Sequence, residues 1–153
     1  MKRLPLVLFL SLFIIISCSR EKRVVEQSYP DGSPKKVCIY TGRGENKQLL
    51  RETTYYPKGK RQMDGTYKNN LRDGQWIYWY ENGFKWSEGS FREGKNEGKR
   101  LTYFENGKLR YEAYYKEGVR VGKWKFFDEK GKLIQEINYS AADTLSGPPG
   151  SVR

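Results

Sequence analysis

The chain has 153 residues, two cysteines and no histidine, and 29 Lys+Arg stand against 18 Asp+Glu for a formal charge of +11. Without histidine it lacks the usual general base, the commonest metal ligand and any Ser-His or Cys-His nucleophile. No enzyme is expected, and no catalytic residue, cofactor site or metal site is assigned.

The N-terminus reads first as a targeting segment. Met1-Lys-Arg3 is a positive n-region, Leu4 to Ile16 is a 13-residue apolar stretch, and Ile15-Ile-Ser-Cys18 closes it. That stretch is short for a bilayer span. The segment resembles a bacterial lipoprotein signal peptide. The resemblance implies removal of residues 1–17 and acylation of Cys18, palmitate included, as the new N-terminus. It also implies residence at the bacterial cell membrane, on the periplasmic face of an outer membrane where Ser19 is read by the sorting rule. The alternative is an ordinary secretory signal or an uncleaved anchor that ends in cysteine. Each buried methylene contributes about 0.8 kcal/mol, so several acyl chains hold a protein stably where one does not. Residues 18–27 are then a charged tether, and losing Lys2 and Arg3 lowers the formal charge from +11 to +9.

From Ser28 to Tyr139 one phrase recurs: Tyr29-Pro-Asp-Gly32, Tyr56-Pro-Lys-Gly59, Tyr80-Glu-Asn-Gly83, Phe104-Glu-Asn-Gly107 and Asp128-Glu-Lys-Gly131, the last four evenly spaced. A fixed period of this order marks a small unit that must stack on its neighbours to bury an apolar face. The first interval is longer, and its extra residues fall in the polar stretch Thr41–Gln48, read as a lengthened loop. Within one period, Gly74-Gln-Trp-Ile-Tyr-Trp-Tyr80 is a short aromatic and β-branched run, followed by Glu-Asn-Gly83 and a return run from Phe84 to Phe91. Such a run, turn and return is a β-hairpin signal. The expected fold is all-β: an elongated single-layer antiparallel meander of about five repeated hairpins over residues 28–139, with no helix beyond the signal peptide. Roughly ten strands at about 4.8 Å each give a ribbon about 48 Å long. Residues 140–153 lack pattern and aromatics and read as a disordered tail.

Aligned columns extend past the turn. Eight residues after each glycine stands Tyr40, Tyr67, Phe91, Tyr115 or Tyr139, and six after it stands Cys38, Gly65, Gly89, Ala113 or Ile137. The small column leaves room for a ring to lie across the backbone. Cys38 therefore reads as a packing residue; a reactive thiol or a bridge between molecules is the other reading. Five after the glycine come Asp64, Glu88, Glu112 and Glu136. A catalytic carboxylate pair occurs once, so an acid in every unit reads as cross-strand charge pairing.

The rings must supply the core of a one-layer sheet, and a ligand must use those left exposed. The candidate binding surface is Trp76, Trp79, Trp86, Tyr103 and Trp124, with Arg72, Lys95, Lys99, Arg100, Arg120 and Lys123, read as cations gathered at turns. A basic surface attracts anions. An envelope protein, anionic lipid and acidic polysaccharide all fit it; alternatively the cations only solvate hairpin ends. Export argues against a nucleic-acid partner.

The pattern Gly-x-Trp-x-x-Tyr-x-x-Asn-Gly of Gly74 to Gly83, looser in Gly98–Gly107 and Gly122–Gly131, resembles the bacterial variant of the MORN repeat. Arg100 replaces the tryptophan in one copy, and Asp128 replaces the turn aromatic in the last. The resemblance implies an elongated hairpin array used for protein or membrane attachment, without catalysis. A family label of YwqK-type antitoxin accompanies this repeat, and it fits an exported lipoprotein badly. Trp76-Ile-Tyr-Trp-Tyr80 also resembles choline-type cell-wall-binding hairpins, whose rings cage a cation. Their shorter repeat and the positive charge here disfavour that reading.

Overall fold

The computed structural model describes residues 21–139. The expected signal peptide, Cys18 and the C-terminal tail lie outside the described residues.

Eleven strands form one open antiparallel sheet: β1 (Lys22–Ser28), β2 (Pro34–Thr41), β3 (Gln48–Tyr55), β4 (Arg61–Lys68), β5 (Leu71–Trp79), β6 (Lys85–Arg92), β7 (Lys95–Tyr103), β8 (Leu109–Lys116), β9 (Val119–Arg120), β10 (Gly122–Phe127) and β11 (Leu133–Tyr139). Each strand pairs with its neighbours in chain order, with β10 beside β8 and β9 pairing β8 alone. β9 and β10 are one strand of the repeat split at Val121, whose N–H still donates to the Tyr114 carbonyl at 3.0 Å. The meander and the all-β class are as expected. Among the described residues there is no α-helix, only two three-residue 3-10 turns, Gly44–Asn46 and Pro57–Gly59. The first of these lies in the lengthened loop.

One boundary differs from the sequence reading. The segment assigned to a charged tether contains β1, paired with β2 from Lys22↔Tyr40 to Ser28↔Pro34. Val24 and Val25 are the β-formers that place it there. The sheet therefore begins at Lys22, not Ser28.

Two turn types alternate along the ribbon. At the repeated phrase, Gly83 donates to the Tyr80 carbonyl at 3.0 Å and Tyr80 N–H to the Phe84 carbonyl at 2.9 Å, with Gly83 at φ 97°. This is a type I turn closed by a left-handed residue, and only glycine adopts that backbone without strain. All five copies make the same pair of bonds. The opposite edge uses two-residue turns with both φ positive: Asn69-Asn70, Glu93-Gly94 and Glu117-Gly118. Their handedness matches the twist of the flanking strands.

Register assigns the faces. Gly65, Trp76, Gly89, Arg100 and Ala113 are successive cross-strand partners in one row, and Met63, Tyr78, Ser87, Thr102, Tyr111 and Phe126 form a parallel row on the same face. We call this the ring face. The row between them, Asp64, Ile77, Glu88, Leu101, Glu112, Lys125 and Glu136, points the other way and defines the acid face.

Candidate functional site

The ring face holds two aromatic clusters. In the first, Trp76 is fully buried and meets Tyr67 and Phe91 edge-on at 5.2 and 5.8 Å, with Tyr78 at 6.3 Å. Its indole Nε1 donates to the Thr66 carbonyl at 3.0 Å. A Cβ at Gly65 would overlap the indole, so the small column is what lets this ring lie flat on the sheet. The second cluster surrounds Trp124 with Tyr111 stacked at 6.3 Å, Tyr115 at 5.2 Å, Phe126 at 6.3 Å and Tyr139 at 5.1 Å.

Arg100 occupies the equivalent slot between the clusters. Its Nη1 donates to Asn96 Oδ1 at 2.6 Å, and its Nε lies 3.4 Å from Ser87 Oγ, so this unit has a polar centre. A guanidinium covers each cluster. Arg72 lies 4.3 Å from the Trp76 ring and 5.5 Å from Phe91, Arg100 lies 5.7 Å from Phe91, and Arg120 lies 5.0 Å from Trp124 and 5.7 Å from Tyr139. Such contacts each contribute about 0.5–1 kcal/mol when exposed.

The acid face is internally neutralised. Asp64 is buried and takes a two-point ion pair from Arg51, together with the Thr53 hydroxyl at 3.1 Å. Burial pushes its pKa up, but the guanidinium and hydroxyl outweigh that and hold the carboxyl below its usual range. Glu88 accepts from Lys85 and from the Tyr103 hydroxyl, both at 2.7 Å, and its pKa is lowered despite burial. Burial and that same carboxylate push the Tyr103 hydroxyl upward. Lys99 and the Tyr114 hydroxyl, both at 2.8 Å, lower the pKa of Glu112, and Lys123 lies 3.2 Å from Glu136. The carboxylate column is ion-paired in four successive units: across strands for Asp64, Glu112 and Glu136, as the sequence leads one to expect, and within β6 for Glu88, whose Lys85 lies three residues before it.

A family model for the MORN repeat variant matches residues 45–69, 72–93, 96–117 and 120–141, more than half of the chain. The chain belongs to the MORN repeat variant family. No curated protein matches it. Each MORN unit corresponds to one hairpin: β3–β4, β5–β6, β7–β8 and β9/β10–β11. The hairpin β1–β2 lies outside the four matches and extends the sheet by one unit.

Against these MORN units the candidate surface divides. Trp76 and Trp124 are core residues, a correction to their inclusion: Gly65 makes room for the Trp76 ring, and Tyr111, Tyr115, Phe126 and Tyr139 close around Trp124. Trp79 and Tyr103 are half-buried at strand ends. Trp86 is 45% exposed and packs edge-on against Tyr78 at 5.7 Å, beside Phe84 at 53% exposed. Lys99, Arg100 and Lys123 lie within β7 and β10, not at turns as expected; Lys99 and Lys123 are spent on the acid ladder. Lys95 is exposed beside the turn, with its stem against Gly118. Cys38 is fully buried in the small column, and burial with the nearby Glu26 carboxylate pushes its thiol up to about 11, so it stays protonated.

Proposed function

We propose that this protein is a lipid-anchored bacterial envelope protein whose MORN array is a non-catalytic binding or scaffolding surface for another envelope protein. Cys18 carries the lipid, and the mature chain projects the sheet from the membrane. The observation that carries the reading is the repetition itself. In every unit from Asp64 to Glu136 the carboxylate is held by its own cation, so these acids build the sheet, while guanidiniums laid over rings recur along the other face. A surface with the same features every two strands suits an extended partner.

Crosslinking with mass spectrometry on the acylated protein in its own envelope tests this. Crosslinks from residues 28–139 to one envelope protein are expected, and Cys18→Ser should release the protein from the membrane fraction. An array that crosslinks to no protein overturns the reading. The exposed turn cations favour one rival, direct contact with anionic lipid or acidic polysaccharide. That rival predicts binding that falls steeply between low and moderate salt with no protein crosslinked.

A further inference from the structure

We propose that the ring face binds an extended acidic peptide segment, whose carboxylates are taken in turn by Arg72, Arg100 and Arg120. The proposal rests on the protein-binding reading above and names the face and the partner's chemistry.

The three guanidiniums alternate with rings. Tyr67 pairs with Arg72, the Phe91 ring lies 5.5 Å from Arg72 and 5.7 Å from Arg100, and Arg120 pairs with Tyr115 and covers Tyr139. Tyr115 stands on β8, between Arg100 on β7 and Arg120 on β9. The row therefore reads Tyr67, Arg72, Phe91, Arg100, Tyr115, Arg120, Tyr139.

Among the described residues none of these three guanidiniums is neutralised, because every ion pair uses another cation: Lys36, Arg51, Lys85, Arg92, Lys99 or Lys123. Arg100 has five N–H groups, and only two meet partners, the neutral Asn96 amide and the Ser87 hydroxyl. Arg120 gives one Nη1 bond to the Tyr139 hydroxyl at 3.2 Å and keeps its other N–H groups, and the planar fork of a guanidinium lying over a ring matches a carboxylate with two parallel bonds.

Spacing sets the shape of the ligand. The arginines stand on β5, β7 and β9, two strands apart, about 9.6 Å per step. A ligand in the left-handed polyproline II form has three residues per turn and rises about 3.1 Å for each, so an acid at every third position returns to the same side about 9.3 Å on and meets each guanidinium while the chain between them rests on Phe91 and Tyr115. A flat anionic membrane meets the exposed turn lysines before it reaches half-buried Arg100. The acid face offers a poorer match, because Arg51, Lys85, Lys99 and Lys123 there already hold carboxylates and leave Lys125 as the cation of its row without an ion pair among the described residues.

Arg100 also makes the test selective, because Arg100→Trp restores the ring that the neighbouring units carry. Fluorescence anisotropy of a labelled oligoglutamate of about twelve residues, long enough to reach all three arginines, is titrated with the full chain. Arg100→Trp should weaken binding by about tenfold or more while the thermal midpoint holds or rises, and Arg72→Gln with Arg120→Gln should weaken it at least as much. Arg100→Gln keeps an amide beside Asn96, carries the same expectation and covers a folding failure of the first variant. Lys99→Gln with Lys123→Gln removes the same charge as the Arg72/Arg120 pair, but from the acid face, and should change binding by no more than about twofold.

Three results overturn the proposal: unchanged binding in both Arg100 variants, an equal loss from the lysine pair, or binding of phosphatidylglycerol vesicles without binding of the peptide. Crosslinks to a protein partner through the acid face would also overturn it and leave the protein-binding reading intact. Failure to find any protein partner would sink that reading instead.

Discussion

The MORN unit built on Trp76 and the one built on Arg100 share turns, register and backbone, yet they hold together differently. Around Trp76 three rings and Met63 close over a fully buried indole. Around Arg100, Ser87 and Thr102 take the places of Met63 and Tyr78 and Asn96 takes that of Arg72, joined by hydrogen bonds, while Phe91 and Tyr115 keep the two remaining ring positions. A one-layer sheet thus needs a closed ring cluster only at intervals, and between clusters the ladder and the turns carry the unit. Trp76→Ala gives the largest effect: removing a buried ring costs about 3–5 kcal/mol, read as a lower urea midpoint. Arg100→Ala should cost about 1 kcal/mol or less, since Asn96 is half-exposed to water and buried Ser87 keeps the Thr102 hydroxyl as a partner. Equal losses would mean that the two units do not differ in what stabilises them.

The glycines under these side chains sharpen the contrast. At Gly65 an added Cβ collides with the Trp76 benzo ring, which is buried and cannot swing away. Gly65→Ala is therefore expected to cost about 1–3 kcal/mol by overpacking. At Gly89 the nearest atom is Arg100 Cγ at 3.2 Å, on a flexible chain that can shift. Gly89→Ala should stay within about 0.5 kcal/mol of wild type, helped by the lower entropy of its unfolded chain.

The two faces differ in their response to acid. Asp64 has its pKa held below the usual value in the folded state, so its contribution is present above the unfolded pKa and is lost as pH falls through the folded one. Glu88 and Glu112 shift the same way. Stability should therefore decline below about pH 4, with no matching titration on the ring face between Trp76 and Tyr139. Asp64→Asn should lower stability at neutral pH by about 1 kcal/mol, a value discounted because Arg51 is half-exposed, and should flatten the acid limb of a pH series of urea midpoints.

Much of this was legible in the sequence because the turn chemistry is strict. A left-handed glycine at the same place in every period fixes the hairpins, and the small column opposite Trp76 announces the buried ring. The acid column likewise announced its ladder. β1 was hidden because Lys22–Ser28 has neither Gly-x-Trp nor a turn glycine, only two valines among charges. The guanidinium row was hidden for another reason. Arg72 and Arg120 share one repeat position, while Arg100 belongs to the tryptophan position four residues on; register and side-chain reach bring them into line. Sequence columns show what repeats, whereas this row is made by a residue that breaks the repeat.

Along the turn edge each unit is stitched to the next. The hydroxyls of Tyr29, Tyr56 and Tyr80 donate to the carbonyls of Tyr55, Trp79 and Tyr103 at 2.7, 2.8 and 2.9 Å. At the Tyr80 turn the Asn82 amide adds a second stitch, to the Glu105 carbonyl at 2.9 Å. Phe104 holds the next position without a hydroxyl, so that turn keeps the equivalent amide bond, Asn106 to the Glu129 carbonyl at 3.0 Å, and lacks the other. Tyr80→Phe should cost about 0.5–1.5 kcal/mol, the net value of one such bond. Phe104→Tyr should recover a similar amount and slow amide exchange at the β10–β11 end of the ribbon, where local opening is easiest at an edge. If exchange there is unchanged by Phe104→Tyr, the hydroxyl stitch follows from the packing of the turns and does not fasten them.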